Sequence, residues 1–176
     1  LATNTVTYAQ NIYEKLYPAS TTKILTAYIA LKYGNLEDYV TVSENAADQA
    51  SDSSVCGLKA GDVVQLKDLL YGMMLKSGND AAIAIAEHIG GSVPQFVQRM
   101  NARAAELGAA NTHFANPNGL PDDTHVTTAY DLALIARAAM GNDTFRKIVS
   151  TQRAEIPWAG RSYNRQLKNK NRLLES

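Results

Sequence analysis

The sequence predicts an α/β fold of the α+β kind: one domain over 1–176, with a helical middle at about 20–150 between strand-forming ends at 1–19 and 151–176. Three observations predict it. Apolar segments of helical length, each with a start or stop signal, follow one another from Ser20 to Val149. Short β-branched or alternating runs lie toward the two ends. A chain of 176 residues that is 45% hydrophobic can bury one real core. Two or three short strands make no stable sheet alone, so they either pair with chain absent from this sequence or are not strands.

Taken in order, Thr5–Ala9 (Thr-Val-Thr-Tyr-Ala) alternates and reads as a strand, which Pro18 ends. Ser20–Tyr33 reads as a helix stopped by Gly34. Ile24, Leu25, Ala27, Tyr28, Ile29, Ala30 and Leu31 make it apolar nearly all round, which predicts a central, buried helix. Ser43 caps a short helix to Ala47, and Gln49–Asp62 is a Ser-, Asp- and Gly-rich loop. Leu66–Leu75 is a helix with Leu69, Leu70, Met73 and Met74 inward. Ser77-Gly78-Asn79 interrupts it, and Asp80–Ile89 resumes with small apolar residues that pack tightly. Ser92 caps a helix to Leu107, closed by Gly108. Phe114–Asp123, with two prolines and a glycine, is a loop. Thr128 with Asp131 resembles a capping box for Ala129–Met140, and Phe145–Val149 is one more short helix. Arg153–Trp158 and Ser162–Leu167 read as extended.

Composition removes several function classes. Lys+Arg and Asp+Glu are both 17, with no basic run, which argues against nucleic acid or an anionic membrane surface as the main partner. No apolar run has the length of a membrane span. Cys56 is the only cysteine, so no intrachain disulfide forms, and its neighbours show no Cys/His pattern. His88, His113 and His125 are scattered without metal-ligand spacing.

The chemistry concentrates at Ser20 and Lys23. At i and i+3 on a helix, their Cβ atoms are about 5–6 Å apart. A serine hydroxyl needs a base, and a lysine is a base only when neutral, which burial favours. The backbone N–H of Ser20 at a helix start can also face a developing oxyanion. Ser-x-x-Lys occurs once in the chain, at a helix start. The second element is Ser77-Gly78-Asn79, in a tight inter-helix turn: a second hydroxyl can relay a proton to a leaving amine, and an asparagine can hold a substrate amide and touch the lysine. Ser43-Glu44-Asn45 and Ser162-Tyr163-Asn164 share the Ser-x-Asn spacing, but the first is a cap and the second lies in an extended segment.

Tyr17-Pro18-Ala19-Ser20-Thr21-Thr22-Lys23 resembles the active-site segment of the low-molecular-mass penicillin-binding proteins, the serine-type D-alanyl-D-alanine carboxypeptidase family. Leu69-Leu70-Tyr71-Gly72 and Lys76-Ser77-Gly78-Asn79-Asp80-Ala81-Ala82 are similar to its second motif. Thr112-His113-Phe114, Asn116-Pro117-Asn118-Gly119-Leu120, Thr127-Thr128-Ala129 with Asp131-Leu132-Ala133, and Asn169 with Asn171-Arg172-Leu173-Leu174 follow in the family's order. The resemblance implies the serine β-lactamase/penicillin-binding-protein-like fold, here mostly its helical part. It implies an acyl-enzyme on Ser20, Lys23 as base, Ser77 as proton relay and Asn79 as a substrate-binding residue. The implied substrate is a peptidoglycan stem peptide ending in D-Ala-D-Ala, with β-lactams as inhibitors. No metal or organic cofactor and no nucleic acid is implied, and an extracytoplasmic location follows from the substrate. Membrane attachment in the family uses a C-terminal segment not in this chain.

The family's third motif, Lys-Thr/Ser-Gly on a strand, has no counterpart: Lys76-Ser77-Gly78 overlaps the second motif and Lys59-Ala60-Gly61 lacks the hydroxyl. The chain is therefore expected to be a catalytic domain truncated at both ends, inactive or nearly so alone. Three alternatives stay open: a DD-endopeptidase or transpeptidase of the same fold, a β-lactamase, or a fragment that only binds peptidoglycan. A class A β-lactamase needs a loop glutamate, and Thr112–Thr124 holds Asp122 and Asp123 but no Glu.

Overall fold

A computed structural model describes residue 3 and residues 5–157 and 162–175. Ala19–Thr22 forms a turn of 3-10 helix that runs into α1 (Lys23–Tyr33). Then come β1 (Tyr39–Thr41), α2 (Glu44–Ala47), β2 (Val63–Gln65), α3 (Leu66–Lys76), α4 (Asn79–Gly90), α5 (Val93–Glu106), α6 (Ala129–Met140) and α7 (Asp143–Ser150). β3 (Arg153–Ile156) and β4 (Arg165–Lys168) follow, and a 3-10 turn at Arg172–Glu175 ends the described chain. Helices dominate and the short strands are antiparallel, so the α+β expectation holds, but β1 and β2 lie between the helices rather than at the N-terminal end.

The all-round apolar surface of α1 makes it the partition between two clusters of buried side chains. Ala27 and Ala30 face the first, with Leu69, Leu70 and Met73 of α3, Ala81, Ala82 and Ile85 of α4 and Phe145 and Ile148 of α7. Leu25 and Ile29 face the second, with Phe96, Met100 and Ala104 of α5, Phe114 and Ile135. Each large apolar side chain buried there contributes about 1.5–3 kcal/mol. The alanines of α4 leave room for α1, α3 and α5 to approach from different sides, which fixes the α3–α4 turn beside the start of α1. Met74 is half-buried, on the margin of the inward face of α3.

Both sheets are two-stranded and antiparallel. β1 pairs with β2, Val40 opposite Val64, and β3 with β4, Ala154 opposite Leu167. The first pair, whose strands are joined through α2, escaped the sequence reading because three-residue strands carry almost no alternation. In the second, Ile156 and Leu167 point into the first cluster and hold the hairpin to α3. Trp158 lies outside the described residues.

Two expectations are corrected. Thr5–Ala9 is not a strand: all five residues are exposed and no strand pairs with them among the described residues. β-branched alternation fits a sheet but cannot supply a partner edge. The lead-in to α1 is instead tied by Leu16 to Thr127, with N–H···O bonds of 2.8 and 2.9 Å, and by Tyr130 N–H to the Ile12 carbonyl. The capping box is half present. The Thr128 hydroxyl accepts from Asp131 N–H (3.1 Å), but the Asp131 carboxylate accepts instead from Asn111 N–H (2.7 Å) and the Thr112 hydroxyl (2.8 Å). The acidic residue closes a loop rather than its own helix.

Candidate active site

The nucleophile candidate stands on a strained step. Pro18 is buried, and Ala19 has φ +47°, a left-handed conformation that an L side chain seldom adopts. That step turns the chain into the 3-10 turn and leaves Ser20 exposed on its outer side while Lys23, one turn on, is 2% exposed. Gly119 supports it from beneath. Its φ is +88°, and a methyl there would stand 1.8 Å from the Ala19 carbonyl oxygen and 3.0 Å from the Ser20 nitrogen. The loop around it is fixed by Asn116, whose Oδ1 accepts from Gly119 N–H (2.7 Å) and whose Nδ2 donates to the Leu120 carbonyl (2.9 Å). The same loop accepts from α1 through its backbone: the Thr26 hydroxyl donates to Pro117 (2.6 Å) and Lys23 Nζ to Asn118 (2.5 Å).

Behind this step lies His125, 1% exposed. Its Nδ1 accepts from Ala115 N–H (2.9 Å), so its proton is on Nε2, which donates to the Thr22 hydroxyl at 2.7 Å. Burial holds the imidazole below its usual pKa, so it is a neutral prop.

Lys23 Nζ has three near oxygens: Asn118 O at 2.5 Å, Asn79 Oδ1 at 2.8 Å and Ser20 Oγ at 3.3 Å. A neutral amine has two N–H groups and one lone pair. The two short contacts suit the N–H donors, and the longer one suits the lone pair accepting the Ser20 hydroxyl proton. Burial first, and the positive charge of Lys170 second, lower the Lys23 pKa to about 8. The position at the positive end of the α1 dipole pushes the same way. At neutral pH about one lysine in ten is therefore a ready base.

The second wall comes from the α3–α4 turn. Ser77 closes α3 at φ +60°, Gly78 follows, and Asn79 opens α4 with its side chain 6% exposed. The fold thus brings Ser20, Lys23 and Asn79 into one bonded group. Ser77 stands in the adjoining turn, half-buried, and among the described residues its hydroxyl bonds neither Ser20 nor Lys23.

Several contributors escaped the sequence reading. The loop 53–58 lies against the start of α4: Asn79 Nδ2 donates to Ser53 Oγ (2.6 Å) and Asn79 N–H to the Ser54 carbonyl (2.8 Å). Asp80, 1% exposed, pins that loop by accepting from Cys56 N–H (2.9 Å) and Leu58 N–H (3.0 Å). Arg165 Nη2 donates to the Gly57 carbonyl (3.2 Å), and Lys170 Nζ to the Ser54 hydroxyl (2.9 Å). Cys56 is no loose loop residue. Its thiol is wedged where methyls on Gly72 and Gly78 would fall, 2.7 and 2.5 Å from Sγ, and burial, then Asp80, push its pKa up to about 12. It is a packed, unreactive thiol. Backbone carbonyls such as Asn118 O have no sequence signature, but the left-handed glycine after it does. Among the described residues no group of three or more His, Cys, Asp or Glu side chains could hold a metal, and no helix is long and apolar enough to cross a membrane.

A family model described as D-alanyl-D-alanine carboxypeptidase matches residues 1–176. The chain is 40% identical over 154 residues to the D-alanyl-D-alanine carboxypeptidase DacF of Bacillus subtilis, covering 85% of this chain and 39% of that protein. It is 42% identical over 142 residues to DacB2 of Mycobacterium tuberculosis, covering 80% and 48%. Among solved structures, the Streptomyces K15 DD-transpeptidase superposes with a TM-score of 0.91 at 35% identity, covering 98% of this chain and 71% of that one. A D-alanyl-D-alanine carboxypeptidase from M. tuberculosis gives 0.85 at 35%, covering 92% and 60%. These structures have the penicillin-binding-protein fold, and this chain shares it. The chain spans between about a third and a little over half the length of the curated relatives it matches. It belongs to the D-alanyl-D-alanine carboxypeptidase family.

Proposed function

We propose that the protein carrying this chain is a serine-type D-alanyl-D-alanine carboxypeptidase, with Ser20 as nucleophile, and that 1–176 is part of its catalytic domain. The observation that carries this is the bonded group of an exposed Ser20, a buried low-pKa Lys23 and Asn79, in a chain of that family. Ser20 Oγ attacks the carbonyl between the two terminal D-alanines of a peptidoglycan stem peptide as its proton passes to Lys23 Nζ. The Ser20 N–H, at the step held by Gly119, stabilises the oxyanion. Collapse expels D-alanine, whose amine takes the proton from Lys23 through the Ser77 hydroxyl in the adjoining turn. Water then releases the shortened peptide. Asn79 steadies Lys23 and offers its remaining N–H to the substrate amide. No cofactor takes part. β-Lactams acylate Ser20 as mimics of the D-Ala-D-Ala end, and the substrate puts the enzyme outside the cytoplasm.

Intact mass after incubation with benzylpenicillin tests this, with a Ser20→Ala control. A stable adduct on the unaltered protein that the control lacks is expected. No adduct on the native protein, shown folded by circular dichroism, rejects the reading. An adduct lost within seconds would favour a β-lactamase. A second reading, transpeptidation, is favoured by the likeness to the K15 DD-transpeptidase. It differs only in the acceptor, and product analysis with added amine separates the two.

A further inference from the structure

We infer that Ser53 is a positioning residue for Lys23, acting through the carboxamide of Asn79; this rests on the function proposed above. An asparagine side chain can turn over about its last bond and exchange its oxygen for its NH2 group, which have opposite hydrogen-bonding character. With the oxygen toward Lys23, Asn79 accepts from Nζ; with NH2 there, two donors meet. The α4 backbone does not choose between them, since Asn79 is anchored by its own N–H to the Ser54 carbonyl whichever way the amide lies. The N–H groups of Lys23 select the oxygen, because a hydroxyl can donate or accept and so fits either face of the amide. Ser53 clamps that choice: its Oγ stands 2.6 Å from Asn79 Nδ2 and accepts from it, which holds the oxygen toward Lys23 Nζ at 2.8 Å.

The loop that carries this hydroxyl is held at several points besides Asn79. Asp80 grips the loop at Cys56 and Leu58, the Cys56 thiol is wedged against Gly72 and Gly78, and Arg165 and Lys170 bind it at Gly57 and Ser54. A six-residue loop with no regular structure is thus a rigid mount for one oxygen. The groups facing Lys23 from every side are Ser20, Asn79, Asn118, Lys170, Asp80 and Cys56, and of these Asn79 is the one whose carboxamide Ser53 bonds at its far end.

Losing the Asn79 acceptor removes a bond that favours the charged amine. The Lys23 pKa then falls, and the acid limb of the acylation rate moves to lower pH. The plateau also falls, by about tenfold, as one hydrogen bond orienting the base is lost.

The test is the pH profile of Ser20 acylation by benzylpenicillin in the native protein and in Ser53→Val and Ser53→Thr. These variants have the same shape and differ in the hydroxyl alone, so a packing effect touches both alike. Expected is an acid limb displaced to lower pH in Ser53→Val and restored in Ser53→Thr. An acid limb common to the native protein and both variants overturns the proposal whatever the plateaus do, as does the same displacement in both variants. Failure of the native protein to form a Ser20 adduct overturns the function and this inference together. If Ser53→Val does not fold, Ser53→Ala replaces it under the same criterion.

Discussion

Among the described helices all but α3, which runs straight on from β2 with no side-chain cap, begin in one of two ways. α2, α5, α6 and α7 start with a capping side chain: Ser43, Ser92, Thr128 and Asn142 each accept from the backbone N–H three residues on. α1 and α4, whose starts meet at the candidate site, have no side-chain cap. They are preceded instead by strain. Of the three described non-glycine residues at positive φ, Ala19 stands before Ser20 and Ser77 stands two residues before Asn79. At the framing helices the polar residue satisfies the backbone. At the two site helices the backbone is bent to present the polar residue, and the surrounding loops hold the bend. Left-handed non-glycine residues cost about 1–3 kcal/mol each and persist where the surroundings over-determine them.

That contrast can be broken most severely at Lys23. Lys23→Ala removes the proposed base and should slow acylation of Ser20 by about 10²–10⁴-fold, read by stopped-flow or quenched mass spectrometry, with little change in unfolding midpoint. If acylation were unchanged, the start of α1 would be mere structure. In the native protein, acylation should rise with pH through an apparent pKa near 8, because only the neutral amine accepts the proton.

Next comes the support under the strained step. Gly119→Ala puts a Cβ against the Ala19 carbonyl at a positive φ, and should destabilise the protein by about 3 kcal/mol in urea unfolding while also depressing acylation. Gly57→Ala, at φ +75° with open space around its Cβ position, separates strain from collision and should cost nearer 1 kcal/mol. Equal losses would show that the close approach at Gly119 matters little.

Lys170→Ala sharpens the electrostatic side. Its ammonium disfavours a second positive charge at Lys23, so removing it should raise the Lys23 pKa and move the acid limb to higher pH. This is the opposite sign from Ser53→Val. A shared direction would mean that both changes act by loosening the 53–58 loop.

The smallest effect belongs to the framing helices. Asn142→Ala removes the α7 cap and should cost about 1 kcal/mol in unfolding, with acylation unaltered. A cap whose loss slowed acylation would erase the distinction between the two kinds of helix start.

By itself the sequence determined most of the helical frame. Caps at Ser43, Ser92 and Thr128, stops at Gly34 and Gly108, and the apolar surface of α1 are local signals, and the helices fall where they indicate. Ser20, Lys23 and Asn79 were visible because Ser-x-x-Lys spacing and a polar break between apolar helices are one-dimensional patterns. Strands were less legible, because Thr5–Ala9 has the alternation but no partner edge, while Tyr39–Thr41 has a partner but hardly any alternation. What only the tertiary structure decided is the set of contacts that brings those three residues together as a candidate site. Asn118 reaches Lys23 from 95 positions away with a backbone carbonyl, Asn79 from 56 away, and Ser53 bonds Asn79 while Lys170 bonds Ser54 from a separate loop. A lysine becomes a base by burial and neighbouring charge, and both depend on which distant segments pack beside it.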